Sequence, residues 1–165
     1  MDASHSQRNM DTTYREYAMR VYLSGPMTGI DDWNFPAFNQ AADELHSIGC
    51  EVTNPADDGA KLTWNENLTR DVADILASNY DALVLLPGWA ESKGALLEVT
   101  TALLSGVVEF QIRIGPNAFE PIPIGLIAAL TGVGIHAVLE GEAGSYTTAM
   151  AMNEAITGAR HATTH

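Results

Sequence analysis

The stretch Asp81-Ala-Leu-Val-Leu-Leu-Pro-Gly-Trp-Ala-Glu-Ser-Lys-Gly-Ala-Leu-Leu-Glu98 constrains the fold more than any other part of this chain. An apolar run of strand length stops at Pro87-Gly88, and Ser92 and Gly94 then open a helix that carries Glu98. A strand feeding a small-residue loop and a helix N-terminus belongs to α/β architecture, and the turn between them is a ready-made anion site. Gly94 and Glu98 are four residues apart and share one helix face, so a ligand passing the glycine can reach the carboxylate. On spacing alone, Glu98 is either a solvated helix residue or the reactive group of that site. Ser92 is either a plain N-cap or a phosphate ligand.

The same alternation runs through the chain. Arg20–Ser24 reads as a first strand, followed by the turn-rich loop Gly25-Pro26-Met27-Thr28-Gly29. Asn34 reads as an N-cap with Pro36 in the first turn, and Phe35, Phe38, Ala42, Leu45 and Ile48 follow at helical spacing up to Gly49. Cys50–Asn54 is a second strand. A second helix is predicted from about Asn65 to Ser78, with Leu68, Val72, Ile75 and Leu76 on its buried stripe. Asp81–Leu86 is the third strand and Lys93–Ser105 the third helix. This βαβαβα order predicts an α/β fold of Rossmann-like (flavodoxin-like) type, a doubly wound parallel sheet of about five strands in three α/β/α layers. Beyond Gly106, Val107–Ile114 alternates like a strand. The apolar stretch Ile122–Leu139 is expected to hold a helix (Ile124–Leu130) and a last strand (Gly134–Leu139), and Tyr146–Gly158 a closing helix. The expected organisation is one domain over residues 19–158, a flexible extension over 1–18 and a disordered tail over 159–165.

Charge and cysteine content narrow the function. A formal charge of −13 excludes wrapping a nucleic-acid backbone, which needs clustered Lys and Arg, but not a mononucleotide gripped by amides and hydroxyls. One cysteine, Cys50, allows no internal disulfide, and no segment reaches the roughly 18 uninterrupted apolar residues of a membrane span, so a cytoplasmic setting is expected. The five histidines have no metal-ligand spacing, and the phosphate-loop motif with Lys-Ser/Thr is absent.

Ligands of an open parallel sheet bind where the strands end at their C-termini. The loops 24–34, 54–58 and 87–94 meet there. Asp71 and Asp74, three apart on the second helix, can each turn a carboxylate towards that edge, or simply form the acidic first half of a helix. Trp33 and Trp89 sit in two of these loops and either stack on a nucleobase or cap the core.

Tyr22-Leu-Ser-Gly-Pro-Met-Thr-Gly29, Trp33-Asn34-Phe35 with Phe38, Asn54-Pro55, and Leu86-Pro-Gly-Trp89 with Ser92-x-Gly94-Ala95 and Glu98 resemble a family of small proteins, common in phages, related to nucleoside 2-deoxyribosyltransferases. Within that superfamily the chain is most similar to 2'-deoxynucleoside 5'-monophosphate N-glycosidases, over residues 19 to 106. The resemblance implies Glu98 as the nucleophile at the anomeric carbon and Tyr22 as its neighbour. It implies that Ser24, Gly25, Pro26 and Met27 line the phosphate and sugar. It places Ser92 where transferases carry an aspartate for a free 5'-hydroxyl and monophosphate hydrolases a serine. Arg70-Asp71-Val72 matches the family's second carboxylate, with Asp74 as the alternative. Met27 and Thr28 stand where the family usually has an arginine. The expected reaction is hydrolysis of a nucleotide's N-glycosidic bond, without metal or cofactor, in a homodimer or larger homo-oligomer, in the host cytoplasm if phage-encoded. A deoxyribosyltransferase and a non-catalytic binder of a nucleotide or NAD-like signal are the alternatives.

Overall fold

The computed structural model describes residues 18–140. The extension over 1–17, the closing helix expected at Tyr146–Gly158 and the tail lie outside the described residues. Five strands and four α-helices follow in the order β1 (Arg20–Ser24), α1 (Phe35–Ser47), β2 (Glu51–Thr53), α2 (Trp64–Ala77), β3 (Ala82–Leu85), α3 (Lys93–Leu104), β4 (Glu109–Gly115), β5 (Ala118–Ile122) and α4 (Ile124–Leu139). The sheet order is β2-β1-β3-β4-β5. β1 through β4 are parallel and β5 is antiparallel to β4. This is a Rossmann-like α/β fold. Among the described residues no helix is long and apolar enough to cross a membrane.

The two central strands explain themselves. Val21, Leu23, Val84 and Leu86 pack with Phe38, Ala41 and Leu45 of α1 in one apolar cluster. Tyr22, Leu83 and Leu85 alternate into a second cluster with Val99, Phe110 and Ile127. A strand buried on both faces has no solvated side to alternate towards, so its sequence is a continuous apolar run. Helix α2 starts where Thr63 and Glu66 form a reciprocal capping box, one residue before the expected start. A buried ion pair, in which Arg113 Nε and Nη2 donate to the two carboxylate oxygens of Glu44 at 2.9 and 2.8 Å, ties β4 to α1.

Three sequence expectations need correction. The second helix buries Asp71 and Ile75, whereas Leu76, expected on the buried stripe, is 63% exposed. Ile48, expected inside, is exposed beyond the last turn of α1. The strand expected at Gly134–Leu139 is instead the second half of the single helix α4. β-Branched residues and glycines lower helix propensity there, and packing overrides it. Gly134 lies so close to its neighbours that a Cβ would stand 2.6 Å from the Ala90 carbonyl oxygen and 2.7 Å from Leu96 Cδ2. Strand β5, unforeseen in the sequence, pairs back on β4 through a turn with Asn117 at φ 52°. Pro121 is tolerated because β5 is the sheet edge.

The α4 glycines give opposite expected outcomes. Nothing lies within 4 Å of a Cβ at Gly132, so Gly132→Ala should stabilise the protein by about 0.5–1 kcal/mol through helix propensity. Gly134→Ala forces backbone and Leu96 apart and should cost about 1–3 kcal/mol. Urea unfolding of the two variants checks the pair. Equal shifts would mean that α4 does not pack on Ala90 and Leu96.

Candidate active site

In the order β2-β1-β3, the connection from β1 to β2 and the one from β2 to β3 run in opposite directions across the sheet, and a crevice opens beyond the C-terminal ends of β1 and β3. A cavity of about 250 Å³ lies there. Its wall takes Gly25 and Met27 from the loop after β1, Trp33 and Phe35 from the approach to α1, and Pro55 from the loop after β2. Trp64, Leu68, Arg70 and Asp71 of α2 and Ser92, Gly94 and Glu98 at the start of α3 complete it. The β1 and β3 loops press together at Gly25, where a Cβ would meet Leu86 Cβ at 2.8 Å. Only glycine permits that approach.

Glu98 sits at the wall of this cavity yet is buried, because α3 packs its flanking residues Ala95, Leu96, Val99 and Ala102 into the core. Two hydroxyls of β1 reach it. Ser24 Oγ donates to Glu98 Oε2 at 2.5 Å and Tyr22 Oη donates to Oε1 at 3.4 Å. Burial pushes the Glu98 carboxyl up to about 8, assisted by the negative charge of Asp71, against the lowering effect of the two hydroxyl donors. Burial and the Glu98 charge hold the Tyr22 phenol well above its ordinary range, so it stays a donor.

Asp71 is the second carboxylate of the cavity. Its Oδ1 accepts from Arg70 Nε at 3.1 Å and Nη2 at 2.9 Å, while Arg70 Nη1 donates to Asp58 Oδ2 at 2.7 Å. Burial raises the Asp71 carboxyl even so, and Arg70 only partly offsets it. Asp74, three residues on, accepts from the Tyr80 phenol and the Ser78 hydroxyl and is not part of the cavity wall. Arg70 brings a guanidinium to the wall from α2, whereas the first loop carries Met27 and Thr28.

Ser92 takes the first of the two roles open to it from sequence, and its position leaves room for the second. It is the N-cap of α3, its Oγ accepting from Ala95 N–H at 3.3 Å, and it faces the cavity, where its hydroxyl hydrogen is free to donate. Gly94 leaves the space above Glu98 open: a Cβ there would have only Ser92 Oγ within 4 Å, at 3.9 Å.

Residues 19–108 match the family described as a domain of unknown function, DUF4406. The chain belongs to that family. The match runs from β1 to just past α3 and so contains every residue described above, while β4, β5 and α4 lie beyond it. No functionally curated protein matches the chain. The DUF4406 description states no activity, so the site must be read from its chemistry.

Besides Asp74, the sequence candidates Trp89, Asn34 and Pro26 stand outside the cavity wall of this DUF4406 domain. Trp89 is 3% exposed and packs in the core with Leu96, Ile127 and Leu130, so it does not stack on a ligand. Asn34 stands at the start of α1 but in the left-handed region, and its side chain caps nothing. Its amide Nδ2 donates instead to the Pro26 carbonyl at 2.8 Å, which fixes the loop after β1. Pro26 acts through that carbonyl and is not itself part of the wall. Among the cavity residues that sequence reasoning missed is Trp64, half exposed at the mouth. A signal was available, since Trp64, Leu68 and Asp71 follow at i, i+4 and i+7 on one helix face.

Proposed function

We propose that this DUF4406 protein cleaves the N-glycosidic bond of a (deoxy)nucleoside 5'-monophosphate. The observation carrying the proposal is a buried carboxylate, Glu98, aimed at a crevice by two hydroxyls, with a second carboxylate in the same wall and a helix N-terminus beside it. The N-terminus of α3, the Ser92 hydroxyl and Arg70 suit a phosphate. The half-exposed rings of Trp33 and Trp64 suit the flat face of a base.

The reaction follows from these groups. Ionised Glu98 attacks C1', and the C1'–N bond breaks through an oxocarbenium-like transition state. The electron pair leaves with the base, which takes a proton from Asp71. Ser24 and Tyr22 hold the attacking carboxylate in place. Asp71 then removes a proton from water, whose oxygen displaces Glu98 from C1' and releases the sugar 5-phosphate. With this reading go a three-layer α/β/α packing, a homo-oligomer and a cytoplasmic setting.

Incubation with each deoxynucleoside 5'-monophosphate, followed by chromatography for free base, tests it. Release that requires an added acceptor base would point to a transferase, and binding without release to a sensor. Ser92→Asp places a negative charge against the phosphate and should lower kcat/KM for the monophosphate about 100-fold, while the matching nucleoside loses little. Equal losses on both substrates would remove Ser92 from phosphate recognition.

A further inference from the structure

Three neighbouring residues at the cavity mouth hold a backbone conformation that side chains disfavour. Asp32, Trp33 and Asn34 have φ of 49°, 54° and 60° with ψ of 30°, 25° and 13°. Asp and Asn visit this left-handed region at modest cost, but for a bulky residue such as Trp33 it is an outlier. Consecutive outliers persist only where their surroundings impose them. Packing does not impose them here, since Asp31 and Asp32 are exposed and Trp33 is 50% exposed. The restraints are few and polar. They are one side-chain bond, the Asn34 amide on the Pro26 carbonyl, and three backbone bonds: Ile30 N–H on the Met27 carbonyl at 3.3 Å, Trp33 N–H on the Ile30 carbonyl at 3.0 Å and Phe35 N–H on the Asp32 carbonyl. Gly29, at φ 81°, begins the same segment and supplies a free pivot.

The segment also carries exposed apolar surface. Trp33 is exposed on this side of the mouth, and Leu62 and Trp64 on the other. A flat ring seated between them would bury these exposed faces, and only while Trp33 stays on the wall.

We infer that residues 29–34 form a latched lid. The Asn34–Pro26 hydrogen bond holds a strained left-handed turn that keeps Trp33 on the cavity wall, and release of this latch lets the turn relax and the mouth open. A ligand that touches Trp33 contacts the latched state alone, and so shifts the segment towards it. The lid does not depend on the chemistry at Glu98.

Relaxation-dispersion NMR on the isotope-labelled full chain, without ligand, tests it by reading microsecond-to-millisecond exchange at amides 29–34 and the Trp33 indole N–H. Exchange is expected in this segment of the wild type. Asn34→Ala removes the latch and disfavours the left-handed backbone, so the released population should grow several-fold. Asp32→Gly suits the turn and keeps the latch, so that population should shrink. Flat dispersion in all three proteins, or identical dispersion, would overturn the lid. Titration with deoxyadenosine 5'-monophosphate should give an affinity that follows the latched population, weakened roughly threefold or more in Asn34→Ala. Equal affinities in variants of unequal exchange would overturn the gating role. Exchange that responds to the variants in a protein binding no nucleotide would keep the lid and remove the nucleotide reading.

Discussion

Glu98→Gln is expected to stop base release and, at the same time, to make the protein more stable at neutral pH. The two effects have one cause. Burial raises the folded-state carboxyl from its ordinary 4.5 to about 8. Between those values the folded protein keeps a proton that the unfolded chain has released. Stability therefore falls as pH rises through this window, by up to about 1.4 kcal/mol per pH unit. By pH 7 the loss amounts to roughly 3 kcal/mol. Glutamine keeps the shape and the contact with Ser24, carries no titrating proton and escapes the loss. Urea unfolding at pH 5, 6, 7 and 8 should find the variant gaining on the wild type at each step, with turnover absent throughout. A variant less stable than wild type at pH 8 would mean that Glu98 serves the fold rather than the reaction. Burying a carboxyl that two hydroxyls but no cation engage directly costs the fold stability.

The second large effect separates the two aspartates. Asp71→Asn should lower kcat by about 10²–10⁴-fold, the usual contribution of a positioned acid or base. Asp74→Asn should leave kcat within a few-fold, since Asp74 is engaged by Tyr80 and Ser78 away from the cavity. The pH profile carries the sharper expectation. The proposed mechanism needs one proton on the Asp71–Glu98 pair, so wild-type kcat/KM should fall above about pH 8, where the last proton leaves. Without Asp71 no acid remains to be protonated, and the residual rate should climb with pH as Glu98 ionises. Its midpoint should lie below the wild-type one, because the Asp71 charge that helps raise Glu98 is gone. Profiles of one shape in both proteins would remove Asp71 from the proton transfers.

What could be read from sequence followed from local physics. β1 and β3 declare themselves by apolar runs that need no partner to interpret, and α3 by Ser92 at its cap. Glu98 and Gly94 on one face follow from helical spacing alone. The parts that escaped depend on distant contacts. Nothing near Trp89 says that α4, about forty residues later, covers it. The same contact makes a helix of Gly134–Leu139, which propensity assigns to a strand. Asp71 and Asp74 differ by a helix rotation that the stripe Trp64, Leu68, Asp71, Ile75 resolves once Trp64 is counted in it. The left-handed run at Asp32–Asn34 has no signature in residue type, because only Asp and Asn among the three favour it even weakly.

The proposed reaction turns on a covalent bond between Glu98 and the sugar. Mass spectrometry of the Glu98 peptide, acid-quenched at intervals through a single turnover of a deoxynucleoside 5'-monophosphate, reads that bond directly. A transient gain of one deoxyribose phosphate on Glu98 is expected, rising with base release and decaying as sugar phosphate appears. Base released at the full rate while the peptide keeps its unmodified mass at every interval would contradict it.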